Sequence, residues 1–296
     1  MRIGVGLPAA IPGSPGSAVG GWARKAEELG FSSVSVIDRL LYDNLDPIVA
    51  LAAAAATTER IELMTTVLNI AYRRNALVLA KQLASLDAVA AGRLTAGLGV
   101  GGWPEDHAAV GPSRLSTGAL MDEMVNTMRA AWEGSLTGAS GPLPATPAGR
   151  PRLLFGGFAA AAFTRAARFG DGWVAPSFGH DQLQRGVAAV RDAFSRAART
   201  QEPRVVVERY FSLGDDASAH AAGYLSHYYG GAYAPAVMAD TVTTRHHLER
   251  EVDQVAAAGC HDVVFLPCTK DPAQLELLAR ALDAIGVAPA GAGRAA

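Results

Sequence analysis

The sequence predicts a single (β/α)8 barrel of parallel strands. Three observations carry that expectation. Eight short apolar runs alternate with helix-patterned segments along 296 residues, half of them hydrophobic, a length one large barrel fills. One joint recurs, an alanine-rich helix end, then a glycine, then a short apolar run: AEELGFSSVSVI, AARFGDGWVAP and AAAGCHDVVFLP. The fourth run is apolar along its whole length, as a strand buried on both faces is. An open dinucleotide-binding sheet fits less well. The first turn, GLPAAIPGSPG, lacks its glycine spacing, and GLGVGG falls later and out of phase.

Taken in order, Arg2–Leu7 is the first strand and Pro8–Gly20, rich in Pro, Gly and Ser, a loop. Gly21–Leu29 is helical, with Trp22, Ala26 and Leu29 at helical spacing and Gly30 as its stop. Ser33–Ile37 is strand two, with Asp38 and Arg39 at its end. Asp46 before Pro47 is a capping residue followed by proline at the first helical position, and that helix runs to about Thr58. Ile61–Leu68 is strand three, ending at Asn69, and Asn75–Ala91 the next helix. Strand four follows in Leu94–Val100. Ser116–Trp132 is amphipathic, with Met121, Met124, Val125, Met128 and Trp132 on one face, a stripe that reads as core or dimer contact. Gly134–Arg150 has no hydrophobic period and is a loop or lid. Strand five is Arg152–Phe155, its helix Ala159–Phe169, strand six Gly172–Ala175, and the next helix Asp181–Thr200. Arg204–Leu213 is strand seven, with Glu208 and Tyr210 near its end. Ala217–Asp240 reads as a broken helix, Thr243–Ala258 as a helix, Asp262–Leu266 as strand eight, and Asp271 to Gly286 as the last helix. The domain therefore spans 1–286, with 287–296 a flexible tail.

The formal net charge of −2 lacks the basic excess of a nucleic-acid protein. The two cysteines, Cys260 and Cys268, indicate neither a disulfide framework nor a cysteine-based zinc site. No signal-peptide pattern and no membrane-length apolar run is visible, so a cytoplasmic protein without membrane contact is expected.

The stretch Gly92–Gly111, GRLTAGLGVGGWPEDHAAVG, organises the chemistry. An apolar strand ends in Gly101-Gly102, and Trp103, Glu105, Asp106 and His107 follow at once. In a parallel barrel, ligands sit at the C-terminal strand ends. Gly156 and Gly157 precede a helix start, whose free N–H groups suit an anion. His107 and His180 read as surface or internally satisfied side chains, since nothing fixes a partner for either.

The phrases ERIELMTTVLN, KQLASLDAVAAGRLTAGLGVGG and RLLFGGFAAAAFTRAARFGDGWV resemble the bacterial luciferase-like family of flavin- or F420-dependent oxidoreductases, from the first strand through the eighth. The resemblance implies a barrel, commonly homodimeric, holding a reduced flavin or deazaflavin at its mouth. It implies a cis peptide at Thr66-Val67, cofactor contacts from Asp38 and Asn69, and a phosphate cradle at Gly156 and Gly157. Asp38, Thr66, Asn69, Gly101, Gly156 and Gly157 are expected to line one groove, with Trp103 as a wall. Many relatives carry His after the strand-two Asp. Here Arg39 stands there, permanently protonated and so a poor general acid, expected to face the substrate or the anionic reduced ring, or to pair with Asp38 or Asp43. The implied activity is that of a monooxygenase using reduced FMN and oxygen on a small organic substrate. The alternatives are F420-dependent hydride transfer and a non-catalytic flavin- or ligand-binding barrel. The loops Gly134–Arg150 and Ala217–Asp240 are expected to set the substrate.

Overall fold

The computed structural model describes residues 1–136, 143–144 and 146–287. Most of the expected tail, and the middle of the expected Gly134–Arg150 lid, lie outside the described residues. The strands are β1 Arg2–Gly6, β2 Ser33–Val36, β3 Glu62–Asn69, β4 Leu94–Gly99, β5 Arg152–Gly156, β6 Gly172–Ala175, β7 Arg204–Phe211 and β8 Asp262–Pro267. They close in sequence order into a parallel barrel, β8 pairing back onto β1 with Val5 beside Phe265. The sequence-based fold class is the observed one.

The helices are α1 Ala18–Glu28, α2 Pro47–Ala55, α3 Ala76–Val89, α4 Pro104–Ala109, α5 Thr117–Trp132, α6 Ala160–Phe169, α7 His180–Arg196, α8 Ala217–Ala239, α9 Arg245–Ala257 and α10 Ala273–Ala284. Their starts follow from local chemistry. Asp46 Oδ1 accepts from the N–H groups of Ile48 and Val49 at 2.9 and 3.2 Å, and Asn75 Oδ1 from Val78 N at 3.1 Å. These bonds satisfy donors that a helix start otherwise leaves open. Two elements depart from the sequence reading. A short 3-10 turn, Pro8–Ala10, sits inside the expected loop. The Pro104–Ala109 segment is helical because proline opens it and Glu105 and Asp106 occupy the first turn, where a helix dipole favours acid. At six residues it is too short for a periodic signal.

Apolar side chains form two layers. One lies between strands and helices and includes Val34, Leu51, Leu83, Phe155 and Phe265. The other fills the barrel lumen with Met64, Leu154, Val174, Val206 and Val264, so the barrel is packed rather than hollow. Above that layer α8 adds Ala221, Tyr224, Leu225, Tyr228 and Val237 as a roof. The helix is broken, as expected: two helical stretches meet at Gly230, whose φ 69° and ψ 175° are non-helical. Among the described residues no helix is long and apolar enough to cross a membrane.

Candidate active site

The ends of six neighbouring strands converge under α8. Ile37 and Asp38 after β2, Thr66, Val67 and Asn69 of β3, and Gly102 and Trp103 after β4 form one side of a cavity of ≈ 190 Å³. Gly156 and Gly157 at β5, Val174 of β6 with Pro176 and Phe178, and Glu208 of β7 form the other. Tyr228 and Tyr229 of α8 close it from above. Two roomier clefts, of ≈ 550 and ≈ 620 Å³, are lined by other segments and collect none of the strand ends β2 to β6, while a third, of ≈ 290 Å³, adjoins the site at Asp38 and is lined by Arg39, Tyr72 and Arg73.

The floor is built by β3. The Thr66–Val67 peptide is cis, as expected, and the β3–β4 register shifts between Thr65 and Leu68. Val67 then lies across the ends of two neighbouring strands. A Cβ on Gly99 would stand 2.5 Å from Val67 Cγ2, and one on Gly156 2.8 Å from Val67 Cγ1. Only glycine leaves room at both places. The product is a flat apolar shelf, facing Trp103 and the α8 tyrosines.

Most of the expected residues meet here. Asp38, Thr66, Val67, Asn69, Trp103, Gly156 and Gly157 all line the one cavity. The polar pair is partly spent on itself. Asp38 Oδ2 accepts from Asn69 N at 2.9 Å and from Arg73 Nη2 at 3.3 Å, while Asn69 Nδ2 donates to Asp38 O at 2.8 Å. Burial pushes the Asp38 carboxyl up to about 6, against the pull of Arg73. Arg73 was not singled out by sequence, because its partner stands 35 positions earlier.

Two expected site residues stand elsewhere. Gly101 does not line the cavity; Gly102 does. Gly101 has φ 88°, and a Cβ there would strike the Tyr72 ring at 2.3 Å, so its role is to let Tyr72 pass. Tyr72 Oη in turn accepts from Trp103 N at 3.2 Å. Arg39 is also outside the lining. It pairs with neither Asp38 nor Asp43. Its Nη2 meets Glu105 Oε1 at 2.6 Å and its Nε meets Asp106 Oδ2 at 3.2 Å. The guanidinium carbon lies 3.8 Å from the Trp103 ring centroid. Two carboxylates and a ring face satisfy this cation, which therefore fixes Trp103 rather than reaching a ligand. Asp106, fully buried, also accepts from Leu40 N and Leu41 N and so ties the β2 loop to α4. His107 meets Gly101 O at 3.2 Å and His180 Nε2 meets Glu251 Oε2 at 2.9 Å, while His180 Nδ1 is buried without a hydrogen-bond partner.

Sequence reading noted Glu208 without giving it a role. Its Oε1 and the Thr66 hydroxyl are buried without a hydrogen-bond partner of normal geometry. Burial pushes the carboxyl up to about 8, with Thr66 and Arg209 pulling the other way. Arg209 is committed elsewhere, its Nε on Glu251 and its Nη1 on the Glu208 backbone oxygen at 2.8 Å. Tyr210 and Tyr229 share a hydroxyl contact of 2.9 Å. The signal in the sequence was a lone acid inside an apolar strand, RVVVERYFSL, where a charge has no reason to be unless it faces a cavity.

A closed parallel barrel with its cavity at the C-terminal strand ends belongs to the class of barrel proteins that bind small molecules there. Residues 1–262 match the luciferase-like monooxygenase family, and the chain belongs to it. The monooxygenase RslO1 of Streptomyces bottropensis superposes with a TM-score of 0.77 at 25% identity, covering 96% of this chain and 99% of that one. The oxygenating constituent of 3,6-diketocamphane monooxygenase of Pseudomonas putida, in complex with FMN, has a TM-score of 0.75 at 18% identity, covering 98% of both chains; at that identity the likeness shows the fold alone. The F420-dependent glucose-6-phosphate dehydrogenase of Kribbella flavida is 30% identical over 203 residues, which is 61% of this chain and 60% of that enzyme.

Proposed function

We propose that this chain is an oxidoreductase that binds a reduced flavin-type cofactor on the Val67 shelf and acts on a small organic substrate beneath α8. The observation that carries the reading is the shelf: a flat apolar floor made possible by Gly99 and Gly156, opposite an aromatic wall. A tricyclic ring needs both. Asn69 and the buried, unpartnered Thr66 hydroxyl offer polar contacts at its edge. Gly157, at the cavity margin, leads into α6, whose start has no side-chain cap and so keeps N–H groups open to a phosphate. When bound, such a cofactor supplies the two-electron chemistry. The chain's own residues hold the ring, exclude water and position the substrate.

FMN with oxygen is the first reading, in line with the family and with the monooxygenases it resembles. Hydride transfer with F420 is the second. Glu208 favours it, because a carboxyl that keeps its proton near neutrality suits the proton exchange that accompanies hydride transfer.

Anaerobic titration with FMNH2 and with F420H2, followed by fluorescence, tests the reading. One of the two should saturate, and oxygen uptake during turnover should accompany FMNH2. Gly157→Glu should abolish binding of either. Gly157→Ala carries the same backbone penalty without the carboxylate and should weaken binding less. Unchanged binding by Gly157→Glu would move the phosphate end elsewhere, and no binding of either cofactor by the native protein would leave a non-catalytic ligand barrel.

A further inference from the structure

We propose that Glu208 is the catalytic acid–base group of this site, and that its substrate is a small uncharged carbonyl compound or the corresponding alcohol. The proposal rests on the second of the two readings above, hydride transfer from a reduced flavin-type cofactor at the barrel mouth, and oxygen-dependent turnover of the carbonyl probes would overturn it. Three observations support it. First, Glu208 reaches the cavity from β7, opposite the Thr66–Val67 shelf of β3, so a substrate lying over the ring meets its carboxyl. Second, Oε1 makes no hydrogen bond of normal geometry; the Thr66 hydroxyl beside it is its one polar neighbour across the cavity, so a ligand can compete for it. Third, Arg39, at the position where the resemblance led us to expect a His, is consumed by Glu105, Asp106 and Trp103. The proton donor absent from β2 is thereby present on β7.

The surroundings fix the protonation state. Across the cavity β2 presents Asp38, engaged by Arg73, and β3 presents the neutral Thr66 hydroxyl. On β6 and β8 the neighbours are Val174 and Val264. On α8 and β7, Tyr228, Tyr229 and Tyr210 are all held well above the ordinary tyrosine range by burial, so they stay neutral. Among the described residues, Arg209, the cation that acts on the carboxyl, faces Glu251, and Arg39 behind Trp103 is engaged by Glu105 and Asp106. None of the described lining residues is cationic, which disfavours phosphorylated or carboxylated substrates.

The step balances. A hydride arrives at the carbonyl carbon from the reduced cofactor, which is thereby oxidised by two electrons. The C=O π pair moves onto oxygen, and that oxygen takes the Glu208 proton. An alcohol and a Glu208 carboxylate result, and solvent restores the proton. Alcohol oxidation is the reverse, with the carboxylate as base.

Infrared titration of the cofactor-free protein gives a readout independent of turnover. A protonated carboxyl band should vanish with a midpoint at about 8 and be missing from Glu208→Gln. Reduced cofactor should bind Glu208→Gln as it binds the native protein. Turnover of cyclohexanone and benzaldehyde should fall about 100-fold or more in Glu208→Gln, with loss of the alkaline limb of the kcat profile, and Glu208→Asp should recover part of it. Glucose 6-phosphate should not be reduced or oxidised. Equal turnover by Glu208→Gln with an unchanged pH profile overturns the acid–base role while leaving the cofactor reading intact. Cofactor binding without turnover of any carbonyl probe overturns the substrate class. Failure of the native protein to bind either reduced cofactor overturns the underlying reading, and the proposal with it.

Discussion

At the scale of single residues, burial decides the site's electrostatics. Glu208 lies in an apolar strand, and its carboxyl is pushed from 4.5 up to about 8 by loss of solvent. A folded-state pKa above the unfolded one means that the native protein holds the proton more tightly. The stabilising contribution is complete below pH 4.5 and lost as pH rises to about 8, above which a buried anion must be carried. Glu208→Gln removes that dependence. Its melting temperature should therefore rise relative to the native protein between pH 4.5 and about 8, by about 5 °C or more, as calorimetry across that range will show. A constant difference would mean that Glu208 is solvated in the folded state. At the shelf, Gly99→Ala places a methyl 2.5 Å from Val67 Cγ2 and 3.0 Å from Asn69 Oδ1. It should weaken cofactor binding about tenfold or more while the melting temperature falls by only a few degrees, since it displaces a cavity wall rather than the core. The residues named in advance, Asp38, Asn69, Trp103, Gly156 and Gly157, came from the family resemblance and from their place at strand ends, and they line one cavity. Glu208 has no role in the sequence reading, because only the fold brings it to the cavity beside Thr66 and the tyrosines.

At the scale of elements, the eight strands and the longer helices were readable from apolar runs and glycine stops, because each is buried against its neighbours along its length. Boundaries shifted where local chemistry is weak: α1 begins at Ala18, and α4 was hidden by its length. The orientation of α8 was illegible, since its tyrosines recur without a clean helical stripe and the kink at Gly230 turns the helix partway along. The outer faces of α2 and α3 carry a further message. These helices pack side by side, and Val49, Leu77 and Val78 are 63%, 51% and 51% exposed, with Leu40 and Leu41 also exposed on the preceding loop. Alanines at 52, 53 and 56 leave the α2 surface low enough for close helix approach. We propose that this apolar face packs against a second copy of the chain. Light scattering at micromolar concentration should give twice 30.6 kDa for the native protein and a single 30.6 kDa chain for Val49→Glu combined with Leu77→Glu. A native monomer would overturn the assignment.

At the scale of the whole molecule, the barrel divides its labour between its two ends. The C-terminal end holds the cavity, with an unpartnered carboxyl and hydroxyl. The N-terminal end is closed by ions. Arg204 on β7 meets Glu62 of β3 at 2.6 and 2.9 Å and Asp262 of β8 at 2.9 Å through two of its nitrogens, with Arg2 of β1 on both acids at 3.1 and 2.7 Å. One guanidinium thus links strands on opposite sides of the barrel. Burial opposes ionisation of Glu62, but Arg204, Thr95 and Arg2 outweigh it and hold the carboxyl below its ordinary range. A lowered folded-state pKa gives stability that is present above 4.5 and lost as pH falls through the folded value. Arg204→Met fills similar volume but leaves the two carboxylates only the more exposed Arg2, with Arg152 also on Glu62. Breaking a buried pair from one side costs up to about 3–5 kcal/mol, and Arg2 offsets part of that here. The melting temperature should accordingly drop by up to about 10 °C at neutral pH, and the gap from the native protein should narrow in acid, where Glu62 takes up a proton in both. Cofactor binding, at the far end of the strands, should survive below the lowered transition. A variant that melted normally would show the cluster to be solvated. One that melted early and also lost cofactor affinity at low temperature would show that the two ends of the barrel are coupled.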